Sequence, residues 1–144
     1  MTTRAFAPAI PGVASPRLNT VLWAAQIFLA VALGLGGLTK IVLPVATLAP
    51  KMAWVTAVSP SLLQFIGVAE LAGAIGLILP SALRIQPWLT PAAALGLVTI
   101  MLLAMGFHLA RQEYHAFPVN LFIGGLALFI AWGRIAGATI TARQ

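Results

Sequence analysis

The chain contains no cysteine, and among its 144 residues only two side chains are acidic, Glu70 and Glu113. The first absence excludes disulfides, thiolate metal sites and any dithiol relay built from this chain. The second leaves eight Lys and Arg almost unopposed, with a formal net charge of +6. In a soluble protein that balance would point to nucleic acid. Here charged residues are only 7% of the chain against 61% hydrophobic, and the basic residues stand singly near the ends of apolar runs. Membrane topology and anionic headgroups explain such placement, and no nucleic-acid surface is implied.

What the sequence does contain is long apolar runs. A mean hydropathy of +1.04 lies far outside the usual soluble range, so the chain reads as an integral membrane protein. Hydrocarbon offers backbone groups no hydrogen-bond partner, which restricts spanning structures to helices and closed barrels. The runs are continuous rather than alternating, so the expected fold class is all-α.

Proline punctuates the runs. It costs no hydrogen bond in a first helical turn, and a preceding Ser or Thr can cap the free amides. Ser15-Pro16, Ser59-Pro60 and Thr90-Pro91 carry the full pattern and Phe117-Pro118 half of it. The predicted spans run from Pro16 or Thr20 to Leu43, Pro60 to Leu79, Pro91 to Leu109 and Pro118 to Ile135. Each is near the ~20 residues that cross a bilayer. Short loops after the second and third spans make neighbouring helices antiparallel. Between the first two spans, Met52, Trp54 and Val55 beside Lys51 predict a short segment lying at the interface.

The expected organisation is a polar, Pro-rich tail over 1–15, a four-helix membrane domain over 16–137 and a C-terminal tail over 138–144. Although Ala30 to Ala32 resembles a signal-peptidase site, the apolar run continues through it, which predicts an uncleaved first span. Arg4, Arg17, Arg84, Arg134 and Arg143 fall on one side of this topology, with Lys51 and Arg111 on the other. That asymmetry places both termini in the cytoplasm. Trp23, Trp54, Trp88 and Trp132 lie near span ends, as interfacial anchors do.

The polar residues inside the runs are the candidates for chemistry. Glu70 lies ten residues after Pro60, about 15 Å along its helix and near the bilayer midplane. A carboxylate at a helix centre costs about 2.5 to 3.5 kcal/mol on insertion scales, so it is expected to face the bundle, pair, or bind a proton. Its helical face also carries Leu63, Ile66, Gly67, Gly73, Ala74 and Leu77, whose small members permit close contact or leave a pocket. Lys40 ends the first span on a face with Leu33, Gly36 and Gly37, placed either to snorkel or to point inward. His108 follows Met101, Ala104 and Met105 at helical spacing, and Asn120 heads a face with Gly124, Ala127 and Ala131. In an antiparallel bundle Lys40, His108 and Asn120 form one layer, with Glu70 beneath. Glu113 and His115 read as solvated loop residues. A buried bis-histidine haem needs two histidines at matching depth, and only His108 is near a span. Zinc or di-iron needs a denser donor set, so no metal is implied.

With "GLTK", "FIGVAELAGAIGLILP", "WLTPAAALGL", "FHLARQEY" and "NLFIGGLALFIAWGR" in this order over Leu22 to Arg134, the chain resembles the DoxX-like family of small membrane proteins. The resemblance implies a four-helix bundle in a bacterial cytoplasmic (inner) membrane, with Lys40, Glu70, His108 and Asn120 at the family's polar positions. It implies no single activity. One reading is an accessory or quinone-handling subunit of a membrane oxidoreductase, with Glu70 relaying protons and His108 or Lys40 bonding a quinone carbonyl. Electrons would then come from a redox partner. A second is a stand-alone binder or isomerase of a lipophile, with Glu70 and His108 as acid and base. A third is a structural subunit or homo-oligomer using Gly-rich faces as seams. In the ligand-binding readings Lys40, Asn120, Gly67, Gly73 and Met105 line the site. No covalently bound cofactor is expected.

Overall fold

The structure, a computed structural model, describes residues 15–143. All but the last residue of the expected N-terminal tail, with Arg4, lies outside the described residues, as does Gln144. The regular elements are helices α1 (Pro16–Val42), α2 (Val45–Leu48), α3 (Pro60–Leu83), α4 (Leu89–Ala110) and α5 (Phe117–Trp132). Tight 3-10 turns cover Ala53–Ala57 and Tyr114–Ala116, and α5 widens into a π turn at Gly133–Gly137. Four helical segments are long and apolar enough to cross a membrane, and they match the four predicted spans.

The helix starts differ from expectation in two places. Ser59 caps α3 through its hydroxyl, which accepts from the Leu62 amide at 3.2 Å, but the Ser15 side chain makes no such bond. Helix α4 begins at Leu89, so Thr90 is already inside the first turn and cannot cap it. Its hydroxyl instead accepts from Ser81 on α3 at 2.8 Å, with both residues buried. The α3 helix also runs past its predicted end at Leu79. Pro80 removes one amide near the membrane surface, but the helix continues to Leu83 and stops where Arg84 adopts a left-handed conformation, φ 56°.

Packing closes the helices into a ring: α1 lies on α3, α3 on α4, α4 on α5, and α5 returns to α1. The central core is built from Leu29, Leu33, Leu77, Leu97, Ala127 and Ile130. Outward faces are equally apolar, with Phe65 69% and Leu103 70% exposed, as a bundle solvated by lipid requires. The predicted interfacial segment is α2 together with the Ala53–Ala57 turn. Val55 drops into a second small core with Leu48 and Leu63, which pins the segment over the ends of the spanning helices.

Candidate functional site

A backbone-to-backbone seam positions the buried charges. A Cβ placed on Gly37 would stand 2.5 Å from the Gly67 carbonyl oxygen, and one on Gly67 would stand 2.7 Å from that of Gly37. Only glycine at both positions lets α1 and α3 touch this closely. Lys40 and Glu70 each lie three residues beyond their glycine on antiparallel helices, so their Cα atoms are separated along the axis by about 9 Å. Helical side chains tilt toward their own N-terminus, and in this arrangement those directions converge. Lys40 Nζ donates to Glu70 Oε2 at 2.6 Å, with a longer contact of 3.4 Å to the Gly36 carbonyl. Both residues are buried, Lys40 7% and Glu70 5% exposed. Lys40 therefore points inward instead of snorkelling, and Glu70 pairs, one of the fates open to it.

Above this pair is a cavity of about 490 Å³. Lys40, Glu70, His108 and Asn120 all line it, so the four polar residues expected from the sequence converge on one space. Its other walls are apolar, drawn from α1, α3, α4, α5 and the interfacial segment. Trp54 from the Ala53–Ala57 turn sits across its outer end, with ring centroids 6.4 Å from His108 and 6.5 Å from Phe107 in edge-on geometry. Phe65 of α3 and Leu103 of α4 line the cavity and are more than two-thirds exposed, which marks an opening toward the lipid between those helices.

His108 is held by a group that reads from sequence as solvated. At the C-terminus of α4 the chain turns back, and Glu113 places Oε2 2.7 Å from His108 Nδ1. Its other oxygen accepts from Arg111 Nε at 2.8 Å. Hydrogen bonds from His108 and then Arg111 hold the Glu113 carboxyl below the usual carboxylate range. Glu113 is thus a positioning residue for the histidine, and the expectation of a merely solvated side chain is corrected. His115 is exposed, as expected.

Asn120 has the least satisfied polar group in the cavity. Its Nδ2 is buried and has no hydrogen-bond partner. A buried amide hydrogen left unpaired costs about 1 to 3 kcal/mol, which a ligand oxygen would recover.

The remaining candidates stand elsewhere. Gly67 belongs to the α1–α3 seam, and a Cβ on Gly73 would meet Leu97 Cδ2 at 2.6 Å, so both serve helix packing instead of a cavity wall. Met105 is half-buried and does not line the cavity; Met101, one turn earlier, does. Sequence reasoning also missed a polar cluster at the opposite end of the bundle. Arg134 donates through Nε to Gln26 at 2.7 Å and through Nη1 to Asn19 at 2.7 Å, and its guanidinium lies over the Trp23 ring. Gln26 in turn donates to the Leu77 carbonyl, tying α1, α3 and the end of α5 together. A glutamine in the middle of an apolar run was the available signal. Among the described residues no group of three or more His, Asp and Glu side chains is gathered as a metal site.

The sequence profile of the DoxX-like family matches residues 24–131 of this chain. No curated protein and no solved structure matches it.

Proposed function

Because this chain belongs to the DoxX-like family of small membrane proteins, we propose that it is a quinone-handling subunit of a membrane oxidoreductase, holding a lipophilic ring in the cavity beneath Trp54. The observation that carries this reading is the unpartnered Asn120 Nδ2 on the wall of a largely apolar space of about 490 Å³. That volume lies within the range of small-molecule sites, and a few convergent polar groups in apolar walls are what orient such ligands. The opening at Phe65 and Leu103 faces lipid, the phase in which a quinone dissolves. Lys40 and Glu70 cancel each other's charge, which suits a neutral guest.

With no cysteine in the chain, no dithiol carries electrons here, and a redox protein partner exchanges them with the ligand. The membrane is the bacterial cytoplasmic one. Arg17, Arg84, Arg134 and Arg143 gather at the end of the bundle where α1 begins and α5 ends, where the Arg143 amide donates to the Arg84 carbonyl at 2.9 Å. That end faces the cytoplasm and the cavity lies toward the outer surface. The Gly37–Gly67 seam and Gly73 are used within the chain, so these glycines are not free seams for a partner.

The test is native mass spectrometry of the protein extracted in mild detergent from a quinone-containing membrane. The expected result is a retained quinone adduct that is lost in Asn120→Leu. An adduct-free wild type, also after incubation with added quinone, overturns the reading.

A further inference from the structure

Two polar atoms on residues that line the cavity have opposite hydrogen-bonding senses. Asn120 Nδ2 has no protein partner and, as an amide NH₂, can only donate. His108 offers the complement. Glu113, ionised and acceptor-only, takes the Nδ1 hydrogen at 2.7 Å, so the neutral ring carries its proton on Nδ1 and a lone pair on Nε2. Nε2 makes no hydrogen bond among the described residues, and it is not among the buried, partnerless atoms, so it keeps open surface.

The charged groups facing His108 leave this arrangement intact. Glu113 and Arg111 pair on the turn after α4 at 2.8 Å, and Lys40 and Glu70 pair across the cavity at 2.6 Å. Trp54 and Phe107 cover the ring with neutral aromatic edges. None of these groups competes for Nε2.

We propose that the site selects the hydroxyl form of its ligand: a neutral lipophilic phenol or hydroquinone whose O–H donates to His108 Nε2 while a ligand oxygen accepts from Asn120 Nδ2. This rests on the cavity being a lipophile site, as proposed above. A ring bearing only carbonyl or ether oxygens satisfies Asn120 but gives His108 Nε2 no hydrogen. The neutral ring therefore holds the hydroxyl form more tightly.

Equilibrium dialysis of the full chain in lipid nanodiscs tests this, with 4-nonylphenol and its methyl ether as probes and empty nanodiscs as the blank. These probes share ring and tail, and neither needs an oxidant. At pH 7.5 the phenol is expected to bind about tenfold tighter or more, the effect of one buried hydrogen bond. His108→Phe is expected to abolish the preference while the ether still binds. Glu113→Gln, which frees the tautomer without altering the cavity wall, is expected to reduce it. Equal binding of phenol and ether by the wild type at pH 7.5 overturns the hydroxyl selectivity and leaves the lipophile site standing. Binding of neither probe overturns both. A preference undiminished in both variants assigns it to groups other than His108 and overturns the proposal.

Discussion

Removing Lys40 tests the physical role of the buried pair. In Lys40→Met the methylene stem is largely kept, but Glu70 Oε2 loses the ammonium 2.6 Å away while remaining in a site only 5% exposed. Deleting one member of a buried ion pair costs about 3 to 5 kcal/mol, because the survivor keeps its desolvation penalty without the compensating attraction. Both side chains are more than nine-tenths buried, so solvent screening does little to reduce that figure. Replacing both members, Lys40→Met with Glu70→Leu, removes both penalties at once and is expected to return stability to within about 1 kcal/mol of wild type. A double-mutant cycle by reversible unfolding in mixed detergent micelles reads the coupling directly. The expected pattern is two costly single variants and a near-neutral double variant. Simple additivity, or single variants within about 0.5 kcal/mol of wild type, refutes the claim that this pair is desolvated and mutually dependent.

Gly37→Ala or Gly67→Ala pushes a methyl group against the facing carbonyl and is expected to cost about 1 to 3 kcal/mol and to lengthen the Lys40–Glu70 contact; unfolding together with a two-dimensional NMR map of the Lys40 ammonium checks it. The His108–Glu113–Arg111 clasp has a defined pH signature, because the folded Glu113 carboxyl titrates below its ordinary value of 4.5. Its contribution is present above about pH 4.5 and is lost as pH falls through the lower folded value, so the stability gap between wild type and Glu113→Gln should close on acidification. Arg134→Leu leaves the Gln26 and Asn19 oxygens without their donor and is expected to cost about 2 kcal/mol while leaving ligand affinity at the far end unchanged, measured by unfolding and dialysis in parallel.

The spans, their order and their antiparallel arrangement were legible because hydrocarbon thickness and proline chemistry both act locally in sequence. The convergence of Lys40, Glu70, His108 and Asn120 was legible as a layer above a carboxylate. The partner of Glu70 was not. Its identity depends on two glycines meeting across α1 and α3, and on side-chain tilt closing an axial gap of about 9 Å. Thr90 misled for a similar reason, since a cap and a buried cross-helix hydroxyl share the same Thr-Pro signature until the helix start is fixed. Glu113 was hidden by its loop position: nothing in "HLARQEY" says that the chain folds back through one tight turn to place its carboxylate on the histidine. Gly67 and Gly73 share the helical face of Glu70, but a face shared with a site residue does not distinguish a cavity wall from a seam.

Photoaffinity labelling in native membranes tests the central claim most directly, using a quinone whose ring carries a small diazirine and mapping the adducts by peptide mass spectrometry. The expected adducts fall on cavity residues such as Phe65, Leu103 and Ile123, disappear with excess unlabelled ligand, and weaken in Asn120→Leu. Adducts spread over lipid-facing residues such as Leu35 and Leu128, unaffected by competitor, would contradict it.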